Sequence, residues 1–225
     1  ELIHLKMFSV NLNFLYLAMD FLDFHHHKQI KQGIYNLNHL EAIPDTMFSA
    51  GIHPKDITQN WKSDFEEIKK KTLDKNCIAV GECGLDGLIT VDEKLQNEVF
   101  QAQLSWAEEI KKPVIIHCVR RFSQILHFKK AKIPLIIHGF NKKETIAEEL
   151  LNVGFYLSFG RAAMESLSLQ KIIRNIPIDR LFLETDNSDF SIQDLYEKVA
   201  EVRSVSVENL KNQMWENLGN IRHNG

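Results

Sequence analysis

His25 and His27 stand two residues apart at the end of the apolar run 21–24. Apolar and aromatic residues at that density favour a buried strand. Side chains alternate along a strand, so Asp23, His25 and His27 share one face while Phe24 and His26 take the other. Two imidazoles placed in this way can hold one metal ion from one side. The same chemistry recurs downstream: His53 follows the apolar stretch 46–52, Glu82 ends 77–82, His117 ends 113–117, His138 ends 133–138, and Glu184-Thr185-Asp186 ends 180–186. Taken singly, each of these is an ordinary polar strand end. Taken together they point to a cation, because little else compensates so many ligand groups in one pocket. Four histidines (His25, His27, His117, His138) and two carboxylates (Glu82, Asp186) exceed what one ion needs. Glu82 as a bridging carboxylate would allow two ions ~3.5–4 Å apart, a pairing that clamps attacking and leaving oxygens in phosphoryl chemistry. Asp186 would hold a metal and take the proton of the attacking water.

These groups need a scaffold that brings strand ends together. Eight strand candidates are legible, at 21–27, 33–37, 46–52, 77–82, 113–117, 133–138, 155–159 and 180–184. Helical periodicity separates most of them, with amphipathic stretches at 61–73, 91–111, 141–151, 165–174, 191–202 and 206–221. Asn141 is placed to cap its helix and Pro113 to stop the longest one. Apolar strands alternating with helices predict an α/β fold, a TIM-like (β/α)8 barrel whose strand ends converge on one mouth. A doubly wound open sheet is the alternative. One stretch fits poorly. Only residues 28–32 separate the first two strands, whereas a parallel crossover usually needs ~10–12 residues, so the first quarter is expected to be trimmed or irregular. One domain is expected over 19–225, with residues 1–18 a non-native or peripheral extension and Met19 the natural start.

Composition sets outer limits. At 225 residues, 44% hydrophobic and 25% charged, the chain supports one large core. A formal charge of −3 gives no global basic field for nucleic acid. Three cysteines (Cys77, Cys83, Cys118) in apolar contexts read as reduced thiols of a cytoplasmic monomer, and no apolar run is long enough for a membrane span.

The ordered set of motifs resembles a known family. His25-x-His27, Gly51-Ile52-His53-Pro54, Gly81-Glu82-Cys83-Gly84-Leu85-Asp86, Val114-Ile115-Ile116-His117-Cys118, Ile136-Ile137-His138-Gly139-Phe140 and Glu184-Thr185-Asp186 are similar to successive signatures of the TatD-type metal-dependent deoxyribonucleases. So is Gln96-x-x-Val99-Phe100-x-x-Gln103-Leu104 in the long helix. The resemblance implies an amidohydrolase-like barrel with one or two divalent ions. It implies His25, His27, Glu82 and Asp186 around one ion, and Glu82, His117 and His138 around the other. It places His53 towards the substrate phosphate, and implies phosphodiester hydrolysis in DNA, exonuclease-like, through a metal-activated water. Magnesium is the family's usual assay metal, while a histidine-rich set suits zinc, manganese, nickel or iron better. The chain also departs from the family. The region between the first and third strands is short. Val119 stands where an arginine is usual, so Arg120 is expected to take over phosphate contact. Asn187-Ser188-Asp189-Phe190 follows Asp186 in place of Ala-Pro-Tyr.

Two hydrolase functions are therefore expected: a phosphodiesterase acting on DNA, or a hydrolase of a small ester, lactone, amide or phosphoester on the same barrel. A DNA enzyme needs local cations at the mouth, which Arg120, Arg121, Lys142, Lys143 and Arg161 could supply. A non-catalytic relic would purify without metal.

Overall fold

In the computed structural model, residues 20–28, 33–38 and 40–223 are described. The extension expected at 1–18 lies outside them. Eight strands form one sheet in sequence order: β1 (Asp23–His26), β2 (Gly33–Leu37), β3 (Phe48–Ala50), β4 (Cys77–Asp86), β5 (Val114–Val119), β6 (Leu135–Ile137), β7 (Tyr156–Phe159) and β8 (Leu181–Leu183). Every neighbouring pair is parallel. Helices α1 (Trp61–Thr72), α2 (Glu93–Glu109), α3 (Phe122–Ile125), α4 (Glu144–Asn152), α5 (Ala162–Glu165), α6 (Leu167–Asn175), α7 (Ile192–Arg203) and α8 (Val207–His223), with short 3-10 turns at Pro54–Asp56, Leu126–Phe128 and Ile178–Arg180, complete the described elements. The barrel expectation holds, and the open sheet is set aside, because β1 meets β8. The Asp186 amide donates to the His25 carbonyl at 2.8 Å and the His27 amide to the Asp186 carbonyl at 3.2 Å.

That seam is locked by a side chain. Asp23 is fully buried and accepts from the Thr185 amide at 2.9 Å and the Thr185 hydroxyl at 2.5 Å. Residues far apart in sequence are thus fixed side by side at the mouth. The strands themselves form because their residues are apolar on both faces. Ile115, Ile116, Ile136, Leu157 and Phe182 are all fully buried, as parallel strands between a filled interior and a helical layer require.

The second strand falls where the sequence put it, and its short approach is real. Residues 29–32 of that approach lie outside the described residues. Among the described residues, no helix stands between β1 and β2 or between β2 and β3.

Two helix expectations are corrected. Asn141 does not cap α4, which begins at Glu144 with Lys143 at the cap position and no side-chain bond there. Gly139, at φ +57°, turns the chain first, so residues 141–143 run as a loop. The helix expected over 165–174 is broken at Ser166, whose extended backbone ends α5 and whose hydroxyl accepts from the Leu169 amide at 3.3 Å to start α6. Longer helices follow the pattern. Asp92 caps α2 by accepting from the Lys94 and Leu95 amides.

Candidate metal centre

Glu82 lies at the centre of the mouth. Its position depends on the glycines that flank it. Gly81 has φ +138°, and a β-carbon there would meet the Ile115 carbonyl oxygen at 2.5 Å. Gly84, at φ +144°, packs as closely on the His117 carbonyl, with which it is in register. Glycine at both positions lets β4 run against β5, so that Glu82 and His117 emerge together.

The Glu82 carboxylate collects five imidazoles. His138 Nε2 is 2.8 Å from Oε1, His117 Nδ1 2.9 Å and His53 Nε2 3.4 Å; His25 Nε2 is 3.4 Å from Oε2 and His27 Nε2 3.7 Å. Asp186 Oδ1 adds the other carboxylate, 3.2 Å from His27 Nε2 and 3.8 Å from His25 Nε2. Ligand-type atoms of His25, His27 and Glu82 lie within 4.8 Å of one another, as do those of His53, Glu82 and His117, and those of His25, His138 and Asp186. Glu82 belongs to two of these groups. Burial is graded across the site. His25 is fully buried and Glu82 is 5% exposed, whereas the His27 and Asp186 side chains are 31% and 41% exposed. The His27–Asp186 side is therefore the one more open to solvent.

The donor set fits a cation. Both ring nitrogens of His25 are buried without a hydrogen-bond partner. Burial pushes the Glu82 carboxyl up, but the His138 charge and the hydrogen bonds from His117 and His138, with the His25 ring 3.4 Å away, hold it well below the usual carboxylate range. Burial depresses His138 in turn, and the Glu82 and Glu184 carboxylates raise it well above the ordinary imidazole value. A buried carboxylate among so many imidazoles demands positive charge, and a proton or a divalent cation can supply it.

Supporting groups orient this set. His117 Nε2 is 3.0 Å from Asp86 Oδ2, leaving Nδ1 for the centre. His138 Nδ1 is 3.4 Å from Glu184 Oε1, which also accepts from the Gly139 amide at 2.6 Å. Asn36 on β2 donates Nδ2–H to Glu82 Oε2 at 3.2 Å and accepts the Glu82 amide at 3.0 Å. Helix α2 steadies two strand ends through its glutamines. Gln103 accepts from the Ile52 amide at 2.7 Å and Gln96 from the Asp86 amide at 2.8 Å, and each donates back to the same residue's carbonyl. His53 differs from the other imidazoles. Its Nδ1 accepts the Lys55 amide at 3.0 Å, so in the neutral ring the proton sits on Nε2 and points a donor into the site.

A family model described as TatD related DNase matches residues 24–222. The chain belongs to this family. An uncharacterized metal-dependent hydrolase, YcfH, of Escherichia coli K12 is 29% identical over 199 residues, covering 80% of this chain and 74% of the relative. A Pectobacterium parmentieri protein named 3'-5' ssDNA/RNA exonuclease TatD is 33% identical over 176 residues, 73% of this chain and 66% of the relative. Among solved structures, the TatD homolog YjjV of Escherichia coli superimposes with a TM-score of 0.75 at 19% identity, over 90% of this chain and 98% of that one. A TatD family hydrolase from Entamoeba histolytica gives 0.74 at 15%, over 92% of this chain and 99% of that one. The sequence expectation of a metal-dependent hydrolase on a TIM-like barrel is borne out by this membership.

Within this TatD-family barrel, His25, His27, Glu82, His117, His138, Asp186 and also His53 come together. Arg120 does not join them; it is exposed after β5, at φ +54°, and makes no ion pair among the described residues. Sequence reading gave no role to Asn36, Asp86, Glu184 or Asp23. Three of these carried a signal in spacing alone: Asp23 and Glu184 each stand two residues before a site residue, and Asp86 stands four after Glu82. Asn36 carried none.

Proposed function

We propose that the protein hydrolyses phosphodiester bonds of a nucleic-acid strand from its end, using one or two divalent cations held by His25, His27, Glu82, His117, His138 and Asp186. The observation that carries this reading is one buried carboxylate, Glu82, within 3.7 Å of five imidazoles at a barrel mouth. The name of the Pectobacterium relative supports the strand substrate. A bound cation supplies a water of lowered pKa and positive charge for the phosphoryl oxygens. Asp186 acts as the base. Burial raises its carboxyl, but the His27 hydrogen bond and the His138 and His25 charges hold it below the ordinary value, so it is ionised at neutral pH. Its exposed edge faces the more open side, where it takes the proton of the attacking water. His53 donates its Nε2–H to the substrate phosphate, and Arg120, unpaired at the rim, is available for a neighbouring phosphate. Arg121 is not, since it pairs with Glu93 at 3.0 Å. The imidazole-rich set favours zinc, manganese, iron or nickel over magnesium.

All six ligand groups come from one chain, which supports a monomer. The three cysteines are free and buried, with thiols pushed up by burial, which supports a reducing, cytoplasmic setting. Among the described residues, no helix is long and apolar enough to cross a membrane.

A second reading, hydrolysis of a small phosphoester, is favoured by one feature. The cavity beside Glu82, lined by Asn36, Asn38, His53 and Lys55, is only about 130 Å³. Elemental analysis of protein purified without chelator tests the metal. A single-stranded oligonucleotide and bis(4-nitrophenyl) phosphate, assayed after chelation and after metal is restored, separate the substrates. Turnover that survives chelation refutes both readings.

A further inference from the structure

Hollows flank the cation-binding groups on two sides. On the β2–β3 side lies the cavity of about 130 Å³ beside Glu82. On the opposite side a cleft of about 160 Å³ starts at Glu184 and Asp186 and runs between the β6 and β7 loops, past Asn141 and Arg161. It continues, through Asn141 and Ala162, into a groove of about 1000 Å³ along Lys142, Lys143 and Ser166. Both loops follow strand carboxyl ends, so the track lies on the mouth face.

The charge along this track is lopsided. Glu144 lines the groove, but Lys171 neutralises it at 2.6 Å. Lys142, Lys143 and Arg161 form no ion pair among the described residues. Lys69, Lys70, Lys198 and Lys211, by contrast, are tied to acids one turn away. A chain with a net charge of −3 thus presents three cations outside any ion pair along the surface that leads from its reactive centre. Evenly spaced negative groups are what such a surface recognises, and a nucleic-acid backbone supplies them.

We propose that the substrate strand leaves the centre across the β6 and β7 loops, with its backbone phosphates on Arg161, Lys142 and Lys143, while the strand terminus occupies the cavity beside Glu82. The proposal rests on the nucleic-acid reading above and adds direction to it, from the cavity of about 130 Å³ beside Glu82 towards the groove along Lys142 and Lys143. None of the three cations touches the metal-binding groups, so small substrates do not need them.

The test compares the triple variant Lys142→Ala/Lys143→Ala/Arg161→Ala with a charge-matched control, Lys129→Ala/Lys130→Ala/Lys132→Ala. The control lysines lie between α3 and β6, at the opposite end of the barrel. Binding of a fluorescein-labelled phosphorothioate oligothymidine to the metal-loaded protein is followed by anisotropy against salt. Three lost phosphate contacts should lower the log–log salt slope by about 2, at ~0.7 per contact for single strands, and weaken binding about 50-fold near 0.15 M salt. The control should keep the wild-type slope. Turnover of bis(4-nitrophenyl) phosphate should match wild type in both variants. A track variant with the wild-type slope, or a control that loses as much, overturns the track and leaves the nuclease reading standing. A wild-type protein that neither binds nor cleaves single strands, yet turns over the small ester, overturns both.

Discussion

Replacing Asn36 by alanine separates a group that merely packs from one that aims Glu82. Asn36 makes two bonds to the same residue, one to the Glu82 carboxylate at 3.2 Å and one from its amide at 3.0 Å. Glu82 is only 5% exposed, so both of its groups would be left largely dry. Leaving buried polar groups unpaired costs about 1–3 kcal/mol each. The cavity of about 130 Å³ that Asn36 lines can admit water, which puts the total near the low end, about 2 kcal/mol. For a chain of 225 residues that corresponds to a fall in Tm of about 4–8 °C. The larger effect should be on the metal. A ligand that loses its orienting partner typically loses about 10–100-fold in cation affinity. Calorimetric titration of metal-free Asn36→Ala with zinc and with manganese measures this, beside a thermal melt of the metal-free protein. A fall in Tm with unchanged affinity makes Asn36 a packing residue. If neither changes, the two bonds do not matter in solution, and the account of how Glu82 is aimed is wrong.

Further outcomes follow from the same geometry. Glu82→Gln removes the charge that five imidazoles surround, and should purify with little or no metal by elemental analysis; full metal content would refute its central place. Asp186→Asn should abolish hydrolysis while the melting profile of the metal-free protein stays close to wild type, and retained turnover would remove Asp186 as base. Burial pushes the Asp23 carboxyl up to about 7, against 3.8 for the unperturbed group, despite its bonds from Thr185. The folded state therefore holds this proton while the unfolded state has lost it, so the Asp23 contribution is present below about pH 4 and disappears as pH rises to about 7, by up to ~4 kcal/mol. Chemical melts of Asp23→Asn across that window should gain on wild type as pH rises, and parallel curves would refute the shift. His26, fully buried with both nitrogens unpartnered, is pushed by burial down to about 4. Its contribution has the opposite sign, present above pH 6.5 and lost as pH falls to about 4, so His26→Phe should flatten the acid limb of the wild-type melt profile.

The letters of the chain were enough for the scaffold. Alternation of apolar strands with amphipathic helices is local information, and parallel strands buried on both faces write it plainly in 114–116 and 135–137. They also carried the metal-type residues, because in a parallel barrel every strand brings its last residue to the same rim. Even β2 was legible in place, although its approach looked too short for a parallel crossover. Helix starts at 141 and 165 were misread because glycine at 139 and a serine cap at 166 reset the chain through backbone geometry that composition does not encode.

What remained for the tertiary structure was the assignment of partners. No spacing rule relates Asn36 to Glu82, or Asp23 to Thr185, since each pair is joined only when the sheet curls shut. Nor does sequence separate His53 from the other histidines; the Lys55 amide on its Nδ1 does so by fixing where the proton sits. Residue types set which chemistry was available, because side-chain donors and charges are properties of single residues. Which atom meets which depends on distances of a few ångströms between strands that are far apart in the chain, and only closure of the barrel fixes those.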